Sequence, residues 1–195
     1  MFTFKNFNVA DWFSFYRIAI TPLLLVFIWL DLRLAFACFL FVSYSTDAID
    51  GYLARTLKIT SPRGSQLDSL GDQITLIIGL SGLLFFETDF IKANLTIIVL
   101  AFIPFIVQMV IAYLKYGKAT AFHTYLAKLS AIVQSVFILW SLFFSPHYFL
   151  FYAMITVGIL ETVEEITLIF MYDNWASDVK GIYWALRDKR RLKKQ

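Results

Sequence analysis

Four aspartates stand in two pairs within 26 residues, Asp47 and Asp50, then Asp68 and Asp72, in the stretch DAIDGYLARTLKITSPRGSQLDSLGD. On a helix the first pair, three residues apart, shares a face, and so does the second, four apart. Carboxylates about 5 Å apart repel by roughly 3 kcal/mol per pair at an effective dielectric near ~20. Protons or divalent cations must therefore sit among them. A donor set of oxygens alone, without His or Cys, suits the hard ions Mg²⁺ or Mn²⁺ better than zinc. Two such ions suit a diphosphate, because they neutralise its oxygens and the charge that grows on a leaving phosphate. Gly51 removes a side chain where a ligand must approach the backbone, and Ala54 keeps the surface low one turn on. Arg55 offers a bidentate fork to a phosphate, and Gly64 lets the connecting loop pass close beneath. These residue types at these spacings point to a metal-dependent enzyme that handles a diphosphate.

The elements that must position them are apolar. Of 195 residues 59% are hydrophobic and 16% charged, with 21 Phe and a mean hydropathy of +0.71. A chain exposes that much apolar surface only where part of its solvent is lipid. The single cysteine, Cys38, excludes an internal disulfide and a thiolate metal site. Residues 1–17 read as an interfacial lead-in helix. Apolar runs follow at 18–30, 34–54, 65–86, 93–114, 126–144 and 148–171, joined by a tight turn at 31–33, a loop at 56–64 and polar connections at 87–92 and 115–123. Residues 173–195 form a basic tail. The expected fold is an all-α membrane protein, one domain over 1–195, with six transmembrane helices and an N-terminal interfacial helix. Of 17 Lys and Arg, only Arg33 and Lys92 fall on the side opposite the termini. The positive-inside rule then makes both termini and the acidic motif cytoplasmic. The closing RDKRRLKK would meet anionic lipid, at about 1 kcal/mol per cation. Nucleic acid is not an expected partner.

Asp47-x2-Asp50-Gly51-x2-Ala54-Arg55-x8-Gly64-x3-Asp68-x3-Asp72 resembles, at eight specified positions with the same gaps, the signature of the CDP-alcohol phosphatidyltransferase family. The six-span layout extends the resemblance over most of the chain. It implies transfer of a phosphatidyl group from CDP-diacylglycerol to a small polar alcohol, with release of CMP. It further implies two Mg²⁺ (or Mn²⁺) ions on Asp47, Asp50, Asp68 and Asp72, with Asp72 also the general base for the acceptor hydroxyl. Gly51, Ala54, Arg55, Ser61 and Gly64 would contact the CDP portion. Where the family often has Asn-x2-Thr-x2-Arg, this chain has Asp11, Ser14 and Arg17. Ser14 joins the CDP contacts, while Asp11 departs from the pattern. A homodimer in a bacterial inner membrane, with its active site facing the cytoplasm, is what the resemblance implies for assembly and location.

The segment from Tyr125 to Ser130 is similar to a reduced Gly-Lys-x-Lys-Thr segment of phosphatidylglycerophosphate synthases, retaining Lys128. It ranks glycerol 3-phosphate first as acceptor, with phosphatidylserine or phosphatidylinositol-phosphate synthase-type acceptors behind. Arg17, Lys128 and Glu164 are the candidate acceptor-binding residues, with Lys115 and Lys118 as further cations. Glu161, Glu164 and Glu165 share a face of the last apolar run, where each acid is costly unless paired, and Lys128 or Arg17 is the partner expected for them. Two rivals share part of this chemistry. An aspartate-rich membrane prenyltransferase also clamps a diphosphate, but spreads its acids over two halves of a longer chain. An ion-coupled carrier would use intramembrane acids, yet gives no reason for glycines and an arginine at set gaps.

Overall fold

The computed structural model describes residues 9–57 and 62–192; for 9–11, 14, 47–48, 50–57, 62–69 and 188–192 it describes the backbone alone. These residues form α1 (Val9–Trp29), α2 (Arg33–Leu57), α3 (Pro62–Phe86), α4 (Thr88–Ala93), α5 (Leu95–Tyr116), α6 (Tyr125–Phe143), α7 (Tyr148–Met171) and α8 (Ile182–Leu192). Among the described residues there is no β-strand, and a bridge between Ala121 and Ser177 stands isolated.

Local chemistry sets the helix ends. α1 runs unbroken through Pro22, so the described part of the lead-in is continuous with the first apolar run. It stops at Asp31, whose φ of 55° is left-handed. The Asp31 N–H donates to Ile28 O (3.1 Å) and the Leu32 N–H to Phe27 O (2.9 Å), which satisfies two terminal carbonyls. α3 begins with Pro62, where a missing N–H costs nothing. Both α2 and α3 thus extend into the loop expected over 56–64. α5 ends on Gly117, left-handed at φ 71°. Two further expectations are corrected. The polar connection at 87–92 is the short helix α4, and the basic tail contains α8.

The chain divides into two compact units, residues 1–88 with 138–146, and 89–137 with 147–195. In the first, α1 packs on α2 and α3 around Leu24, Phe36, Ala37, Leu40, Ile78, Ile138 and Leu142. Small residues let these backbones approach, as lipid-embedded packing requires. The Phe36 ring occupies the space over Gly82, where an added Cβ would lie 2.2 Å from it. Arg33 opens α2 and donates to the carbonyls of Ser141, Leu142 (2.8 Å) and Phe144 (3.2 Å), and it also pairs with Glu87. A cation suits the unsatisfied carbonyls at a helix C-terminus.

In the second unit, Ala112, Phe122, Leu168, Ile169, Val179 and Ala185 form the core. The so-called tail thus contributes Val179 and Ala185 to a packed interior. On α5 the pattern of a soluble helix is inverted. Gln108 and Ala112 are buried, while Val99, Phe102, Ile103, Phe105, Ile106 and Val110 are exposed. A helix whose apolar side chains face outward and whose amide faces inward fits lipid as its solvent. α5 and α6 are each long and apolar enough to cross a bilayer.

Candidate active site

α2 carries Asp47 and Asp50, and α3 carries Asp68 and Asp72. The regular helix at both positions gives each pair a common face. The two helices pack against each other, with Phe36 and Leu40 of α2 meeting Gly82 and Gly79 of α3. For Asp47, Asp50, Gly51, Ala54, Arg55, Gly64 and Asp68 only the helical backbone is described, and likewise for Ser14 on α1; Ser61 lies outside the described residues. An all-carboxylate donor set on two adjoining helices fits hard divalent cations in kind. Among the described residues, no three His, Cys, Asp or Glu gather to hold a metal ion.

Asp72 is described in full. Its Oδ1 accepts a hydrogen bond from Nη1 of Arg17, joining α3 to α1. The pair is asymmetric: the Arg17 side chain is 0% exposed and that of Asp72 50%. A guanidinium so buried is held by the carboxylate it meets. The carboxylate in turn is half exposed. Gly71 makes the approach possible, since a Cβ there would lie 3.2 Å from Arg17 Nε and 3.3 Å from Cζ. The sequence offered only a glycine beside an aspartate, and its role became visible with its neighbour across the helix pair. Arg17, expected at the acceptor, is thus a partner of Asp72.

The remaining cations have separate surroundings. Lys115 Nζ donates to Ile169 O (2.8 Å), and the Tyr116 hydroxyl to Ile169 O (3.0 Å) and Tyr172 O (2.6 Å), so both cap the end of α7. Lys118 Nζ lies 3.7 Å from the centre of the Trp175 ring. Lys128 is on the first turn of α6 and exposed, its ammonium 5.9 Å from the Tyr125 ring centre. It lines a pocket of about 220 Å³ with His123, Tyr125, Asp178 and Lys180. Four of these five residues, His123, Tyr125, Asp178 and Lys180, were not singled out as site residues from sequence, because no motif spacing links 123 with 178.

The glutamates of α7 find neutral partners, and Lys128 forms no ion pair with them. Gln108 Nε2 donates to Glu165 Oε2 (2.6 Å) and to Thr120 Oγ1 (2.9 Å), and Thr120 Oγ1 donates to Glu165 Oε2 (2.7 Å). Glu164 Oε1 accepts from the Ile182 N–H at 3.3 Å. The network around Glu165 offsets the cost of placing that acid among apolar helices, whereas Glu164 Oε2 is buried with no hydrogen-bond partner.

The family model for CDP-alcohol phosphatidyltransferase matches residues 7–172, and the chain belongs to that family. Its members are phosphotransferases that pass a group from a CDP-alcohol to an alcohol acceptor. Comparison with curated proteins and with solved structures returned no match.

Proposed function

We propose that this protein transfers the phosphatidyl group of CDP-diacylglycerol to a small phosphorylated alcohol, glycerol 3-phosphate first, and releases CMP. The placement of the eight-position motif on two adjoining helices, its last carboxylate fixed by Arg17, carries this reading. Asp72 would accept the proton of the acceptor hydroxyl as its oxygen bonds to the phosphatidyl phosphorus and the bond to the CMP oxygen breaks. Arg17 holds one oxygen of Asp72, which fixes the direction of the other. Two Mg²⁺ or Mn²⁺ ions, held by Asp47, Asp50, Asp68 and Asp72, would neutralise the diphosphate and the departing CMP. Gly51, Ala54, Arg55, Ser61 and Gly64, with Ser14 of α1, would receive the CDP portion.

The pocket of Lys128 and Lys180 has the chemistry for the acceptor's phosphate, because two ammonium groups and an imidazole suit a phosphate. Asp178 beside them supports a second acceptor class. A carboxylate among cations also suits a zwitterion, the ammonium of serine on Asp178 and its carboxylate on the lysines. The chain would cross the inner membrane six times, with its termini and the motif on the cytoplasmic face. CMP release from labelled CDP-diacylglycerol, by the purified protein with Mg²⁺ and a panel of alcohols, tests all of this. Release that depends on glycerol 3-phosphate is expected. Dependence on serine selects the second acceptor, and no acceptor-dependent release with any alcohol sinks the proposal.

A further inference from the structure

The two walls of the His123–Lys128–Lys180 pocket are irregular backbone, residues 117–124 and 173–181. Each carries a lining residue in the left-handed region, His123 at φ 53° and Asp178 at φ 57°. Asp and His take this conformation more readily than other non-glycine residues. The walls are laced to each other: Asp178 N–H to Ala121 O and Tyr125 N–H to Lys180 O (both 3.2 Å), and Trp175 Nε1 to Ala119 O (3.0 Å). Phe122 and Val179 of the two walls share a core with Leu168 and Ile169, which rests both walls on α7 by apolar contact; a polar anchor holds them further.

That anchor comes from two consecutive residues of α7. Glu165 takes the Thr120 hydroxyl of the first wall, in a triad closed by Gln108 of α5. Glu164 takes the Ile182 N–H at the end of the second. Gly181, at φ 143°, lies against the same carboxylate, and a Cβ there would be 3.0 Å from Glu164 Oε1. We propose that Glu164 and Glu165 are positioning residues which, from one turn of α7, grip one wall each and so set the spacing of Lys128 from Lys180 and Asp178. The inference rests on the acceptor reading of the pocket. It explains why acids, rather than apolar residues, occupy this helix: one carboxylate oxygen can take two donors at once, as Glu165 Oε2 does.

The test uses the intact protein in detergent, with Glu164→Leu and Glu165→Leu beside Glu164→Gln and Glu165→Gln. Limited trypsin digestion read by mass spectrometry reports the walls without reference to any acceptor. Cleavage after Lys180 should accelerate about tenfold in Glu164→Leu, and cleavage after Lys118 likewise in Glu165→Leu, the factor one lost hydrogen bond supplies. In CMP-release assays the acceptor KM should rise about tenfold in both, with the CDP-diacylglycerol KM within about twofold of wild type. The glutamine variants should restore both readouts, because an amide oxygen still accepts these bonds. If the leucine variants do not fold, Gly181→Ala moves the Glu164 carboxylate with the acid intact, and should reproduce the Lys180 cleavage and the raised acceptor KM. Unchanged cleavage overturns the anchoring. Faster cleavage with an unchanged acceptor KM overturns the link between these walls and the acceptor. If wild type releases no CMP with any alcohol, the acceptor reading has failed, and the digestion still decides the anchoring.

Discussion

Arg17 of α1 and Asp72 of α3 meet as a buried cation and a half-exposed anion, and the burial lies almost wholly on the arginine. Losing one partner is therefore not equivalent to losing the other. Asp72→Asn replaces the carboxylate facing a buried guanidinium with a neutral amide, whereas Arg17→Met leaves a carboxylate that solvent already reaches. Breaking a buried pair costs about 3–5 kcal/mol when the survivor is a buried charge. Asp72→Asn should fall towards the low end, since the amide oxygen still accepts one bond, and Arg17→Met should cost well under half as much. Thermal unfolding in one detergent checks the order. Both variants should lose CMP release if Asp72 is the base as proposed, because one then lacks the base and the other its alignment. Equal destabilisation by the two would refute the asymmetry.

Gly71→Ala tests the alignment alone. The new Cβ would lie 3.2 Å from Arg17 Nε, so the guanidinium must shift by a few tenths of an ångström and carry Asp72 Oδ1 with it. Displacements of about 1 Å at a reacting group cost on the order of a hundredfold in rate, so a loss of about tenfold in kcat is expected. The KM for CDP-diacylglycerol should hardly move. A rise in that KM with kcat intact would assign Gly71 to donor binding.

Chelation probes the carboxylate set. EDTA should abolish CMP release, and Mg²⁺ or Mn²⁺ should restore it where Zn²⁺ does not, as an all-oxygen donor set requires. Asp68→Asn removes one charged ligand and should raise the Mg²⁺ needed for half-maximal activity by about tenfold or more. Full activity of the wild type in EDTA would remove the metals from the mechanism.

Much of this molecule was readable before any coordinates. The final apolar run, expected from Tyr148 to Met171, is α7 with those bounds, because the stretch is apolar but for Glu161, Glu164 and Glu165 and holds no Pro between His147 and the polar segment after Tyr172. The turn after Trp29 and the helical placement of the four aspartates follow as directly. What escaped has a common cause. α8 reads as a charge run because Arg187 to Arg191 dominate its composition, and its apolar face shows only in Ile182 and Ala185, which meet residues of distant elements. The partners of Glu165, at 108 and 120, and the pocket joining 123 to 180 depend on contacts across tens of residues. Periodicity and spacing carry no trace of these. Lys115 and Lys118 likewise read as free cations until Ile169 O and the Trp175 ring came beside them.

Gly82→Leu asks how tightly the α2–α3 pair is packed. The Phe36 ring, 0% exposed, lies so close to Gly82 that even a methyl would meet it at 2.2 Å. Phe36 also packs on Phe86, with ring centres 5.6 Å apart, so a shift of the Phe36 ring disturbs that contact as well. Overpacking of this kind costs about 1–3 kcal/mol, and here it falls on the helices that carry all four aspartates. Gly82→Ala should lower the unfolding temperature, and Gly82→Leu should lower it further and depress turnover. The pairing of Phe36→Ala with Gly82→Leu gives the sharper measurement, because truncating the ring opens the volume that leucine needs. The double variant should recover at least half of the stability lost in Gly82→Leu. Strict additivity of the two losses would mean that the helices are not in contact at this position.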